Sequence, residues 1–135
     1  MSLQNLSSKI NIRIYYEDTD AGGVVYHSKY LNFAERARAE FLRNLSLEQT
    51  YIKEKYQIQF VVKSLKVSYI DSCKLDDQIN LVTNLETINR ATLCFNHVFY
   101  KNKKEISKIQ VTVCCISNAG KVARMPKSLY HKFIN

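Results

Sequence analysis

Between Tyr15 and Leu31 the chain reads YYEDTDAGGVVYHSKYL. Three carboxylates (Glu17, Asp18, Asp20) fall within four positions, the Gly22-Gly23 pair follows, and a histidine, His27, stands just before a long stretch of helical periodicity. A chain that turns at the glycines delivers carboxylates close to the unpaired N–H groups of a helix N-terminus. The partial positive charge there suits a developing oxyanion. A carboxylate that activates water or attacks, beside donors that hold an oxyanion, is the minimum equipment for acyl transfer. Two blander readings compete with it. Aspartates are common before helices as caps and in turns. Asp18 and Asp20 could also share a divalent cation, but no histidine or further carboxylate follows at a ligand-like spacing.

The elements that must position this segment follow from hydrophobic period. Ile10, Ile12, Ile14 and Tyr16 alternate with Asn11, Arg13 and Tyr15, which predicts a first strand ending where the acidic residues begin. From about Ser28 to Leu45 the period becomes helical. Tyr30, Phe33, Ala34, Ala37, Phe41, Leu42 and Leu45 form one stripe, and Glu35, Arg36, Arg38, Glu40 and Arg43 lie mostly opposite it. A shorter helix is expected from a cap near Ser46 toward Lys55. Strands are expected at roughly 59–71, 77–88, 91–100 and 105–117. In them Ile79, Leu81 and Leu85 share one face, as do Leu93, Phe95, His97 and Phe99. Short turns such as Asn89-Arg90 force antiparallel neighbours, so an α+β sheet with one helix packed on a single face is the economical architecture, its edge or open face suited to self-association.

With 135 residues and 46% apolar content the chain is expected to form a single domain over 1–135, with no linker-like stretch. The start Met1-Ser2-Leu3-Gln4-Asn5-Leu6 lacks the basic and apolar regions of a secretory signal, and no later run reaches membrane-spanning length. A soluble, cytoplasmic protein without membrane insertion is therefore expected. Cys73, Cys94, Cys114 and Cys115 fit neither a metal pair nor a disulfide framework and read as reduced packing residues. Twenty Lys and Arg against twelve Asp and Glu give a net charge of +8, which favours a polyanionic partner without identifying one. The Lys101-Asn102-Lys103-Lys104 cluster reads as a solvated hairpin tip. Nucleic acid is disfavoured, because neither a stacking motif with adjacent glycines and basic residues nor a GXXG clamp is present.

The run YYEDTDAGGVVYHSKYLNFAERAR closely resembles the signature of the 4-hydroxybenzoyl-CoA thioesterase family of hotdog proteins, and within it the acyl-CoA thioesterase branch associated in bacteria with the Tol-Pal system. Asp76-Asp77 and Arg124-Met125-Pro126 agree with the family as well. The resemblance implies a hotdog fold, a five-stranded antiparallel sheet wrapped around one long helix. It also implies dimers joined edge to edge, active sites at the dimer interface, and further association to a homotetramer. The implied activity is hydrolysis of an acyl-CoA to free acid and CoA, with no cofactor, coenzyme A being part of the substrate; an acyl carrier protein is a possible alternative donor. Carried over by position, the catalytic aspartate falls on Asp20. His27 falls where a helix-head N–H polarises the thioester carbonyl and where the branch has an active-site histidine. Tyr16 falls where a tyrosine lines the site, and Asp18 reads as a loop-holding residue.

Arg90 lies near a position where relatives present basic residues to the CoA nucleotide, and Arg124, Lys127 and Lys121 are further options for its phosphates. His97 reads as a packed strand histidine and His131 as a surface one. Acyl length should depend on pocket side chains such as Phe33, Ala37, Phe60 and Val62. Two other classes remain as rivals, a non-catalytic acyl-binding or scaffold protein of the envelope or lipid machinery and a dehydratase on the same fold. Hydrolysis requires the Asp20 carboxylate to face a fissure between two subunits, within reach of unpaired amides heading the long helix.

Overall fold

The structure, a computed structural model, describes residues 6–134. The reading of the N-terminal hexapeptide therefore lies, apart from Leu6, outside the described residues.

Five strands, β1 (Ser7–Arg13), β2 (Ile58–Tyr69), β3 (Gln78–Ile88), β4 (Thr92–Lys101) and β5 (Lys104–Ser117), form one antiparallel sheet in the order β1-β3-β4-β5-β2. Between β1 and β2 the chain makes α1 (Lys29–Asn44) and α2 (Gln49–Tyr56), and it ends in the single turn α3 (Lys127–Tyr130). This is the α+β architecture expected.

The inner face of the sheet carries the alternating apolar residues, and α1 covers it with the stripe its spacing predicts. Tyr30, Phe33, Ala34, Ala37, Phe41 and Leu42 are all buried. Tyr30 meets Phe99 edge-on at 5.3 Å and Phe41 meets Phe95 at the same distance, so the helix lies along β4. Burying six such side chains is worth on the order of 10 kcal/mol before entropy is charged, far more than helix propensity supplies.

The two hairpins are cut by local chemistry. Asn89 Oδ1 accepts the N–H groups of Ala91 and Thr92, which folds the β3–β4 turn. Asn102 and Lys103 both take positive φ (49° and 65°), the conformation a two-residue turn requires to match strand twist. The lysine cluster is a hairpin tip, but Lys101 pairs with Asp77 at 2.7 Å and Lys104 with Asp71 at 3.6 Å, so it is anchored to the 71–77 loop.

Some expectations are corrected. β1 begins earlier and ends at Arg13. Ile14 stays buried but bonds to Asp77 and Asp76 outside the ladder, and Tyr16, 82% exposed, opens a 3-10 turn (Tyr16–Asp18) rather than completing a buried face. Ser46 does not cap α2. It adopts a left-handed conformation (φ 58°) that terminates α1 while the Leu47 N–H reaches back to the Leu42 carbonyl, so α2 starts at Gln49. The cysteines are free: Cys73 and Cys115 are buried, whereas Cys94 and Cys114 are half-buried, the neighbours 114 and 115 facing opposite ways as strand alternation demands. Burial pushes the Cys115 thiol up to about 11.

β2 is an outer strand. Val61, Val62, Leu65 and Tyr69 along it, and Ile70 just beyond, are exposed. No described helix is long and apolar enough to cross a membrane.

Candidate active site

The acidic loop folds back on itself and onto the 71–77 loop. Val25 donates to the Cys73 carbonyl (2.9 Å), Asp76 donates to the Ile14 carbonyl (2.9 Å), and isolated bridges join Thr19 to Val25 and Val24 to Lys74. Asp77 fixes the platform from below by accepting the Lys74 N–H (2.8 Å) and pairing with Lys101. Burial works against the Asp77 charge, yet these bonds hold its carboxyl below the usual carboxylate range.

Two carboxylates, two residues apart, meet different fates. Asp18 is only 4% exposed. Its Oδ2 accepts the Tyr15 N–H (2.9 Å), its Oδ1 lies 3.8 Å from Lys29 Nζ, and its main-chain carbonyl accepts the Tyr26 N–H (3.0 Å). It is spent on holding the loop. Asp20 is exposed, and only its Oδ1 is engaged, accepting the Gly22 N–H at 2.8 Å in an Asx-type turn. Gly22 permits that bond, because a Cβ there would come within 3.2 Å of the same oxygen. Gly23 supplies the positive φ (81°) that returns the chain, with its N–H on the Asp20 carbonyl. Asp20 Oδ2 has no partner among the described residues, and the side chain lines an open hollow of about 450 Å³ together with Tyr16, Thr19 and Leu75.

The head of α1 offers the complementary charge. Its cap, Ser28, makes no side-chain bond, and no acidic residue lies in the first turn. The Tyr26 and Lys29 amides are already used, on the Asp18 and Tyr26 carbonyls respectively. The amides of His27, Ser28 and Tyr30 have no acceptor among the described residues. His27 is exposed, its ring 4.5 Å from that of Tyr26, and it lines a second hollow of about 430 Å³ with Tyr30, Tyr69, Asp71 and Ser72. Tyr30 hydrogen-bonds Cys73 Sγ at 3.2 Å, and burial first, then that bond, raises its phenol.

Tyr16 and Asp20 thus share one hollow, and within a single chain His27 faces another. Arg90, Arg124 and Lys127 are brought together, but elsewhere. Arg90 Nε donates to the Met125 carbonyl (3.0 Å) and the Met125 N–H returns to the Arg90 carbonyl (2.6 Å), so the three cations sit at the β3–β4 turn. That is the opposite end of the sheet from Asp20, roughly 30 Å away at the rise of a strand as long as β4.

Of the residues expected to set acyl length, Phe33 and Ala37 are sealed in the core. Phe60 and Val62 instead line a hollow of about 220 Å³ between α1 and the inner face of the sheet, with Arg38, Leu42 and Phe95. His97 is wholly buried as expected. Arg38 can only donate, so at 3.2 Å His97 Nε2 is the acceptor, and the proton on Nδ1 goes to Thr83 Oγ1 at 2.8 Å. Burial, then the Arg38 charge, pushes this imidazole down to about 3. No cluster of three His, Cys, Asp or Glu able to hold a metal occurs among the described residues.

Comparison with known proteins gives consistent results. Residues 15–133 match the thioesterase-like superfamily. The acyl-CoA thioesterase YbgC of Haemophilus influenzae is 46% identical over 105 residues, covering 78% of this chain and 77% of that protein. The acyl-CoA thioester hydrolase YbgC of Escherichia coli is 35% identical, covering 90% and 92%. Among solved structures, a probable thioesterase from Bartonella henselae superposes with a TM-score of 0.84 at 28% identity, over 89% of this chain and 99% of that one. With the five-stranded sheet, the helix laid along it and the matching loop in place, the chain belongs to the thioesterase-like superfamily of hotdog proteins.

Proposed function

We propose that this protein is an acyl-CoA thioesterase in which Asp20 is the catalytic carboxylate and the amides of His27 and Ser28 hold the oxyanion. The observation that carries this is a carboxylate with one oxygen, and a helix head with the His27 and Ser28 N–H groups, left without partners among the described residues and flanking the same loop. A thioester carbonyl is electrophilic and its thiolate leaves readily, so little more is needed. Asp20 takes a proton from water as the water adds to the carbonyl carbon, and the tetrahedral oxyanion collapses to expel CoA thiolate. Alternatively Asp20 adds directly and expels the thiolate as a mixed anhydride forms, which water then cleaves. Tyr16 walls the Asp20 hollow in this reading, and the His27 side chain contributes beyond its amide.

The remote cations fit a site assembled from two copies. A two-fold pairing of β2 with its symmetry mate runs the strands antiparallel and sets the Ile58 end of one copy beside the Tyr69 end of the other. The Arg90, Arg124 and Lys127 cluster of one copy is thereby carried to the end where the other keeps Asp20 and His27, and reaches the CoA phosphates there. The apolar side chains exposed along β2 support such a homodimer. The branch resemblance extends the proposal to dimers paired as a homotetramer, a single catalytic domain over 1–135, a cytoplasmic location where CoA thioesters are made, an acyl carrier protein as a second donor, and association with the Tol-Pal system.

The test is release of free thiol from a panel of short, medium and aromatic acyl-CoAs by the wild type and by Asp20→Asn. The wild type should turn over at least one class. The variant should lose about a thousandfold in kcat while melting at the wild-type temperature. Near-native turnover in Asp20→Asn would remove Asp20 from the chemistry.

A further inference from the structure

We infer that Tyr69 is a positioning residue for the oxyanion site: its hydroxyl orients the peptide unit whose N–H belongs to Ser28. This rests on the function proposed above and adds to it a residue that none of the local sequence signals reveals.

Tyr69 is the last residue of β2, 42 positions away from the helix head, and it is 48% exposed. Its O–H donates to the His27 carbonyl at 2.8 Å. The carbonyl of residue 27 and the N–H of residue 28 belong to one planar peptide group, so a bond to the first fixes the direction of the second. It also draws electron density toward the oxygen, which makes the Ser28 N–H a better donor, the ordinary cooperativity of chained hydrogen bonds. The Ser28 amide is among those at the head of α1 without an acceptor among the described residues.

The neighbouring side chains hold the phenol in place. The Tyr69 ring stands edge-on to Tyr30 at 5.5 Å and to His27 at 6.5 Å, and all three line the hollow beside the helix head. Tyr30 is itself tied to Cys73 and packed on Phe99. Burial raises the Tyr69 phenol above its ordinary value, which keeps the hydroxyl proton available to donate near neutral pH. A tyrosine serving only as apolar cover would need neither this bond nor this orientation. Without it, the peptide between His27 and Ser28 is held only through its neighbours, the Tyr26 and Ser28 carbonyls that accept the Lys29 and Leu31 N–H groups.

Tyr69→Phe removes the hydroxyl and keeps the ring. With the acyl-CoA best hydrolysed by the wild type, kcat should fall about tenfold while KM and melting temperature stay within twofold and about two degrees respectively. A purely structural role would not change the second readout. A CoA ketone in which CH2 replaces the thioester sulfur, labelled with carbon-13 at the carbonyl, should bind both proteins within twofold. Its carbonyl stretch should be lowered on the wild type and shifted part of the way back on Tyr69→Phe. Unchanged kcat, or a fall in kcat with an unmoved carbonyl band, overturns the inference. These outcomes are separable from the parent reading, because a wild type without turnover sinks both, whereas an active wild type indifferent to Tyr69→Phe sinks only this one.

Discussion

The two ends of the sheet are built on opposite plans. At the Tyr69 end two loops lie on one another, carboxylates and aromatic rings crowd together, and open hollows of about 430 and 450 Å³ flank donors and a carboxylate oxygen that have no partner among the described residues. At the Ile58 end three cations share one turn held by paired Arg90–Met125 bonds. The proposal puts reactivity at the first end and a handle for anions at the second, separated by the length of a strand. On the proposed reading one chain carries all the parts of a CoA thioesterase site, with its cations out of reach of its carboxylate. On the proposed reading a second copy placed by strand pairing would bring the cations within reach, which would make the exposed β2 edge as much a part of the site as Asp20.

The sharpest way to break this comparison is by mixing defective subunits. Asp20→Asn should be nearly inert. A chain lacking Arg90, Arg124 and Lys127 side chains (all to Ala) should need about a hundredfold more acyl-CoA to reach half-rate, at roughly fivefold per lost phosphate contact, and its residual activity should respond less to salt. If the site takes its carboxylate from one copy and its cations from the other, refolding the two variants together leaves one intact site in each mixed dimer. Thiol release at low substrate should then recover to roughly a quarter of wild type. Sites contained within one chain predict no recovery at all, and that result would return both ends to a single subunit.

A smaller effect sharpens the account of the reactive end itself. His27→Ala keeps the backbone N–H that the proposal uses and removes only the imidazole, so kcat should fall about tenfold against about a thousandfold for Asp20→Asn. Steady-state kinetics on the two variants decide it. Equal losses would mean that the ring transfers a proton rather than bordering the site.

The sequence makes most of the fold readable because the fold is periodic. The α1 stripe from Tyr30 to Leu42 and the alternation through Leu93, Phe95, His97 and Phe99 are statements about which face is buried, and the burial agrees. Boundaries went astray where backbone bonds rather than side-chain pattern decide them: at Ile14, which leaves the ladder for Asp76 and Asp77, and at Ser46, which ends one helix instead of starting the next. The site was legible as a loop, since carboxylates, glycines and a histidine stand together in the chain. Distinguishing Asp18 from Asp20 in their roles needed the resemblance to a family. That Asp18 is engaged by Tyr15, Lys29 and Tyr26 while Asp20 keeps an oxygen without a partner among the described residues is visible only in three dimensions. Tyr69 had no local signal whatever, because its partner lies 42 residues away.

The smallest expected effect concerns the residue midway between the ends. His97 in β4 touches neither hollow at the reactive end, yet it is the most strongly perturbed histidine. Burial, aided by Arg38, holds its folded-state value near 3, against about 6.5 for an exposed imidazole. Between these values the unfolded chain binds a proton that the folded chain refuses. Stability from this group is therefore fully present above about pH 6.5 and is lost as pH falls toward 3, at no more than about 1.4 kcal/mol per pH unit. From pH 6.5 to 5 the loss should be roughly 1–2 kcal/mol, in a window where most carboxylates are still ionised and the other two histidines, His27 and His131, are exposed. Melting temperature against pH should thus slope more gently in His97→Gln than in the wild type, whatever the offset between the curves. Parallel slopes would show that His97 takes up its proton in the folded state, and that the Thr83 and Arg38 bonds do not hold it neutral.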